Sequence, residues 1–211
     1  MPFTGKPFER LEAVAAPWMQ PNVDTDLIIR VERCAQVPRA ELGRYALETV
    51  RLRPDGSPDP DFVLNRPPFD RAGILVAGEN FGCGSSREMA VWALAGLGIR
   101  CVIAPSFGEI FFGNCFQNGV LPIRLPADQV AALAAGLLAD PTRAAWVIDL
   151  PAQTIRTGSG ETLAFEVEPL RRSMLIEGLD EIAATLRRAS SIEAWQQADR
   201  RRRPWAWPAS G

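Results

Sequence analysis

Hydrophobic and polar positions change period several times along this chain. "GILVAG" is a short apolar run that reads as a buried strand; a glycine loop follows, and helical spacing then continues through about Leu97. "CVIAP" reads as a second buried strand, "GEIFFGNCFQ" as a short helix and "VLPIRL" as a third strand. Residues 128 to 139 place Val130, Leu133, Ala134, Leu137 and Leu138 on one face at helical spacing, and Pro141 ends that helix. "AWVIDL", "QTIRTG" and "LAFEVE" then read as strands, with turns at Pro151 and at Gly158 to Gly160. The C-terminal part reads as helical, and Ser190 and Glu193 in "SSIEAWQQA" have capping-box spacing. Nearer the N-terminus, "VDTDLIIRV" reads as a turn entering a short strand, and the proline- and aspartate-rich residues 54 to 68 as an irregular excursion. There is no internal repeat. Strand–helix alternation in the middle, with adjacent strands later, predicts a mixed α/β domain.

Composition narrows the class. A chain of 211 residues, 47% of them hydrophobic, fits one large domain or one and a half small ones and can bury a core. Its formal net charge of −2 gives no electrostatic reason to expect nucleic acid or a membrane surface as partner. No apolar run approaches the roughly 20 residues a membrane span needs. The N-terminus carries acids and lacks a central apolar region, so it does not read as a secretory signal; a cytoplasmic protein is expected. The arginines and tryptophans of "DRRRRPWAWPASG" weigh only slightly for RNA. They read as a flexible tail over residues 200–211 behind a domain covering 1–199.

Cysteine and histidine usage limits the chemistry. Cys34, Cys83, Cys101 and Cys115 have neither zinc-knuckle nor iron–sulfur spacing, so no cluster or metal is expected on this chain by itself. Cys101 reads as a buried strand residue, Cys34 and Cys115 as ordinary small apolar residues. The chain contains no histidine, which excludes an internal Ser-His-Asp triad and any histidine-ligated metal.

The chemistry therefore concentrates in "ENFGCGSSREMAVWAL", residues 79 to 94. Gly82-x-Gly84 imitates a dinucleotide fingerprint, but Arg87 occupies its third glycine position, and there is no P-loop lysine. A strand, a glycine-permitted turn and a helix N-terminus remain, which together favour an anion held by the Gly82, Cys83 and Gly84 backbone. Arg87, in the first helical turn, is poorly placed for the helix dipole unless a carboxylate neutralises it. The plainer reading makes Ser85 or Ser86 an N-cap, with Glu88 serving the first turn and Arg87 paired to a surface acid.

Longer stretches add a resemblance. "ENFGCGSSRE", then "APSFGEIFFGNCFQNGVLPI", with "NVDTDLII" and "DPDFVLN" ahead of them, resemble the small subunits of 3-isopropylmalate dehydratase in the family's order. The resemblance covers most of the chain and thins over the final residues. It implies a single aconitase-type swivel domain with mixed β-sheet layers and flanking helices, and a hydro-lyase subunit of leucine biosynthesis. The implied reaction dehydrates 2-isopropylmalate and rehydrates the alkene at the neighbouring carbon. It further implies a large-subunit partner, as a heterodimer, carrying a 4Fe-4S cluster that acts as Lewis acid. By motif position, Ser85 is the base next to a substrate carboxylate. Ser86 shapes the anion pocket and Arg87 holds a carboxylate. Asp24 and Asp26 orient these groups, although turn and capping roles explain them about as well. Asn114 is a weaker substrate-binding candidate.

The chain departs from the family pattern in two places. Met89 stands where members commonly carry histidine after "SSRE". "RVERC" follows "DTDLII" where Pro-Lys and an aromatic residue are common. In the family that loop borders the substrate's distal group, so the resemblance makes Arg30, Val31 and Arg33 candidate specificity residues; read as a strand, the stretch puts Val31 and Arg30 on opposite sides. A sister hydro-lyase acting on a methylmalate or homocitrate-like acid is the alternative. A non-catalytic carboxylate-binding regulatory subunit is a third account, disfavoured by the intact Ser85-Ser86-Arg87.

Overall fold

The computed structural model describes residues 7–85 and 87–208. One mixed sheet of seven strands organises them, in the order β4-β3-β2-β1-β5-β6-β7. In chain order the strands are β1 (Arg10–Trp18), β2 (Ala72–Ala77), β3 (Cys101–Ala104), β4 (Leu121–Arg124), β5 (Ala145–Asp149), β6 (Thr154–Arg156) and β7 (Thr162–Ala164). Pairing is parallel from β1 through β4 and antiparallel from β1 through β7 on the other side.

β1 joins the two halves, and no periodicity in "RLEAVAAPW" announces it as a strand. Its first half pairs with β5, from Arg10↔Asp149 to Val14↔Ala145. Its second half pairs with β2, from Val14↔Ala72 to Trp18↔Ala77, with a register shift at Val14/Ala15. Pro17, which has no N–H to give, falls in the half without a β5 partner, where a ladder bond is not demanded on both edges. β2 and β3 are buried along their whole length, as strands of a parallel sheet covered on both faces should be.

The helices are α1 (Thr25–Ile28), α2 (Val31–Gln36), α3 (Glu48–Arg51), α4 (Glu88–Leu97), α5 (Glu109–Gln117), α6 (Ala127–Ala139), α7 (Pro169–Glu177), α8 (Glu181–Leu186) and α9 (Ala189–Arg202). α6 packs against β1, β2 and β3. A tight 3₁₀ segment, Arg39–Tyr45, lies against α4, which also meets α1 and α5. Residues 54 to 68 are irregular, with one isolated bridge at Pro58 and one short 3₁₀ turn, Val63–Asn65.

Three local expectations give way. "VDTDLIIRV" is not a strand: Asp24 accepts a hydrogen bond from the Leu27 N–H at 2.7 Å and caps α1, and α2 begins at Val31. The cap and the burial of Ile28 and Ile29 in the core outweigh their β-branched preference. Leu138 is 63% exposed, while Val130, Leu133, Ala134 and Leu137 carry the buried face of α6. Ser190 makes no capping box, because α9 starts ahead of it, with the Ile192 N–H bonded to the Arg188 carbonyl. α9 runs on to Arg202, beyond which Arg203 grips Asp199 at 2.8 and 2.9 Å and the Trp207 indole N–H donates to the same carboxylate.

The closest helix approach depends on two glycines. A Cβ on Gly43 would lie 2.2 Å from the Gly96 carbonyl carbon, so α4 reaches the 3₁₀ segment only because both positions lack side chains. Gly43→Ala is expected to destabilise the chain by about 1–3 kcal/mol through overpacking. Gly136→Ala, at an α6 position with open space around it, is expected to be neutral or stabilising by up to about 1 kcal/mol. Urea unfolding of the two variants checks the contrast; equal stabilities would refute the close-packing account.

Candidate active site

The site grows from the carboxyl ends of β1, β2 and β3, where open parallel sheets present their loops. Those three loops are laced together by backbone. The Asn22 N–H donates to the Glu79 carbonyl at 2.9 Å, Gly82 N–H to Val23 at 2.7 Å and Thr25 N–H to Cys83 at 3.0 Å. On the other flank, Phe81 N–H donates to Ser106 at 3.1 Å and Gly108 N–H to Phe81 at 2.9 Å. The motif around Asp24 and the glycine loop, far apart in sequence, thus behave as one pleated surface beyond the strands.

Within the loop, Gly82 has φ +73° and its missing Cβ would sit 2.2 Å from the Phe111 ring, so both its conformation and its space demand glycine. Its N–H is spent on Val23 and is not available to an anion, a correction to the expectation for the Gly82 backbone. Gly84, at φ +84°, is exposed, and among the described residues its N–H has no acceptor. Cys83 is half-buried between them and bridges Asp24.

Ser85 is exposed at the loop's end, and its carbonyl accepts a 2.6 Å hydrogen bond from the buried Thr25 hydroxyl. It is not the cap of α4. The N-cap position belongs to Arg87, with extended backbone (φ −137°, ψ 110°) and no capping side chain. Arg87 therefore sits just ahead of the helical turn rather than inside it, and its Nη1 is hydrogen-bonded to Asp26. That bond raises the guanidinium pKa further, so Arg87 is a permanent cation. The carboxylate that neutralises it in this chain is Asp26, itself exposed. Asp24 is committed to capping α1. Ser86 lies outside the described residues.

Glu88 serves a different purpose from a first-turn acid. It accepts from the Asn118 amide at 2.8 Å, and the Asn118 carbonyl oxygen accepts from the Trp92 indole at 2.7 Å and from Arg39 at 3.1 Å. Arg39 also stacks over the Trp92 ring at 4.2 Å. This network ties the start of α4, immediately after Arg87, to the end of α5 and to the 3₁₀ segment. Asn118 escapes a reading of the sequence because an Asn before Gly119 signals simply a helix end. Asn114 contributes its carbonyl to Asn118 at 2.9 Å and, among the described residues, no side-chain bond to the loop that carries Ser85 and Arg87. Met89 is partly buried and packs against the core.

Arg30 and Arg33 turn toward Glu48, which Arg33 grips through Nε at 3.1 Å and Nη2 at 3.0 Å while stacking on Tyr45 at 4.2 Å. Cys34 lies within electrostatic reach of Arg87 and Asp26. Val31, 53% exposed, and Arg30 precede Cys34 by three and four residues, so at helical spacing both neighbour it. The strand alternation expected for Arg30 and Val31 is thus replaced by helical spacing. Among the described residues no group of three or more His, Cys, Asp or Glu side chains is arranged to hold a metal ion, and Cys101 and Cys115 are fully buried.

Loops clustered at the carboxyl ends of a mixed sheet, with an exposed serine and a paired arginine at one helix start, belong to a domain that comparison places in the aconitase C-terminal class. The family model described as the aconitase C-terminal domain matches residues 5–128, and a second, LeuD_N, matches 139–169. The 3-isopropylmalate dehydratase small subunit of Rhodopseudomonas palustris (strain HaA2) is 49% identical over 202 residues, covering 94% of this chain and 98% of its own. That of Gluconacetobacter diazotrophicus is 47% identical, covering 94% and 95%. A crystal structure of 3-isopropylmalate dehydratase from Methanocaldococcus jannaschii has a TM-score of 0.63 at 28% identity, covering 89% of this chain and 99% of that one. The chain belongs to the 3-isopropylmalate dehydratase small-subunit family, and small-subunit membership implies a larger partner chain. No helix among the described residues is long and apolar enough to cross a membrane.

The thiols offer a check on this geometry. Burial pushes the Cys101 and Cys115 thiols far up, and partial burial also raises the Cys34 thiol, against the opposing pull of the Arg87 cation. Titration of the native chain with an aromatic disulfide reagent is expected to modify Cys83 and Cys34 and to leave Cys101 and Cys115 untouched until denaturant is added. Rapid reaction of all four would contradict the packing of β3 and α5.

Proposed function

We propose that this chain is the small subunit of a two-subunit hydro-lyase that interconverts 2-isopropylmalate and 3-isopropylmalate in leucine biosynthesis. The observation that carries the reading is the exposed Ser85 at the end of a glycine loop, close in the chain to the Arg87–Asp26 pair. Family membership over nearly the whole chain supports it.

The reaction removes a proton from the carbon beside one carboxylate and a hydroxide from the neighbouring carbon, as water, and then adds water back with the positions exchanged. In this reading Ser85 takes and returns that proton through its hydroxyl oxygen. A serine hydroxyl is a weak base in water. Here the Arg87 cation and the Gly84 N–H supply positive potential that favours the alkoxide. Thr25, donating to the Ser85 carbonyl, holds the backbone that carries the hydroxyl. Arg87 grips a substrate carboxylate with the guanidinium edge that Asp26 leaves, and Asp26 orients it. In this reading a 4Fe-4S cluster, which would supply Lewis acidity toward the substrate hydroxyl, belongs to the large subunit; that among the described residues no group of three or more His, Cys, Asp or Glu is arranged to hold a metal ion is in keeping with it.

In the assembled two-subunit enzyme, Ser85→Ala is expected to lower kcat by on the order of 10²–10⁴-fold with assembly intact. Arg87→Lys is expected to raise KM, because an ammonium cannot reproduce a bidentate grip. A Ser85→Ala enzyme with near-normal kcat would sink the assignment of the base.

Specificity turns on α2. Cys34, within electrostatic reach of Arg87, and the exposed Val31 a turn before it suit an apolar distal group, whose two buried methyls are worth roughly 2 kcal/mol. Arg30, half-exposed and paired with Glu32 at 3.3 Å, is the observation that favours a distal carboxylate and a homocitrate-like substrate instead. For the isopropylmalate reading, Arg30→Ala should leave the kcat/KM preference for 2-isopropylmalate over homocitrate unchanged. A wild-type preference for homocitrate that collapses in the variant would move the assignment to the sister enzyme.

A further inference from the structure

We propose that the arginine-lined cleft between α2 and the segment that follows α3 is a second binding site, one that takes a small polyanion bearing phosphate or carboxylate groups. The cleft has a volume of about 910 Å³ and is lined by Arg30, Arg33, Arg44, Arg51 and Arg53. Glu48 is the one carboxylate among its lining residues. Three of these arginines also have carboxylates at the rim, Arg30 with Glu32, Arg44 with Glu41 and Arg53 with Asp59, so five cations stand against four acids and the local balance is positive in a chain whose overall charge is slightly negative.

Glu48 is already consumed. Arg33 holds Glu48 from two nitrogens, and Arg30 approaches it at 3.9 Å. Arg51, among the described residues, has no carboxylate within ion-pair distance: its Nε donates to the Ala46 carbonyl at 2.8 Å and its Nη2 to the Arg44 carbonyl at 2.5 Å. Two backbone carbonyls therefore fix this half-buried guanidinium in place without giving it a counter-charge of its own. Burial disfavours the charged form more than the distant Glu48 favours it, and a bound anion would reverse that balance. Among the described residues Arg44 and Arg53 have only long, exposed pairings, at 3.9 Å to Glu41 and 4.0 Å to Asp59, and can swing to a ligand at little cost.

The arrangement combines two fixed donors, Arg33 and Arg51, with two adaptable ones across a concave volume. Guanidinium matches the planar fork of carboxylate and phosphate, and a volume in the range of small-molecule sites exceeds what one inorganic ion fills. Concavity is what argues for a small molecule: an acidic protein surface would be met as well by a flat patch. The cleft is lined by Arg30 and Arg33 but by none of Val31, Cys34 and Arg87, so it is a separate pocket from the surface around Arg87.

The test is calorimetric titration of the full chain with pyrophosphate and, separately, tricarballylate, at ionic strength held constant with sodium chloride. The expected result is saturable one-site binding that Arg44→Gln/Arg53→Gln weakens about tenfold or more and Arg87→Gln leaves unchanged. The tighter of the two probes decides between phosphate and carboxylate ligands. Arg51→Gln should weaken binding similarly. Because it also removes bonds to two carbonyls, the Arg44/Arg53 double variant, which touches only exposed side chains, is the deciding comparison if Arg51→Gln does not fold. Equal binding by wild type and the double variant, a non-saturating response, or loss of binding in Arg87→Gln would overturn the proposal. So would binding that disappears on assembly with the large subunit, which would give the cleft to the protein interface. None of these readouts depends on turnover, so they stand or fall apart from the hydro-lyase reading.

Discussion

The structure depends on one constraint: three loops leaving β1, β2 and β3 must satisfy one another's backbone groups after the strands have ended. Buried or half-buried peptide groups without partners are costly, and here the loops supply the partners that a sheet no longer can. Val23 accepts from Gly82, Cys83 from Thr25, and Phe81 both donates to Ser106 and accepts from Gly108. The T-shaped packing of Phe81 against Trp18, Phe107 and Phe111 fills the space beneath this surface. Ser85 and Arg87 are consequently displayed by a rigid layer of backbone, even though Ser85 itself is exposed.

Charge is arranged around that layer in two separate ways. Beside the loop, a single arginine at the entrance of α4 is matched by a single aspartate from α1, a pair that leaves Arg87 oriented and permanently charged. In the cleft beside α2, arginines outnumber acids, and two of them are immobilised by a carboxylate or by carbonyls. Arg33 of α2 lines that cluster, while Cys34 of the same helix lies near the compensated Arg87. The apolar Val31 and Cys34 are the side chains beside which an alkyl group of a substrate finds company in the proposed reaction.

Much of this is legible in the amino-acid order. Strongly patterned segments with local determinants match their expected kind: the β2 strand, the helix to Leu97, the strands at Cys101 and Leu121, and α5 and α6. The glycine loop, and its unsuitability for a dinucleotide, follow from Arg87 standing in place of a glycine. The α1–α2 region departs from its pattern because Ile28, Ile29 and Val31 have strand preference in isolation. A side-chain cap from Asp24, worth about 1 kcal/mol, together with core burial, reverses it. Ser85 as a cap and Gly82 as an anion donor fail for a related reason: their backbone groups and geometry answer to Thr25 and Val23, from a distant part of the chain.

What the sequence by itself determined was the local grammar: which stretches bury, where turns require glycine, and that the chain contains no histidine and no cluster ligands at a recognisable spacing. Its motif order also determined the family. Only the tertiary structure decided that β1, a strand with weak alternation, sits at the centre of the sheet, because its identity rests on partners at residues 72–77 and 145–149. The tertiary structure likewise decided that Asp26 neutralises Arg87, that Asn118 gathers Glu88, Trp92 and Arg39, and that five arginines surround one cleft. Periodicity reports the environment of a residue relative to its own element. Pairings between elements are set by chain closure over tens of residues, and no local pattern encodes which distant partner will be there.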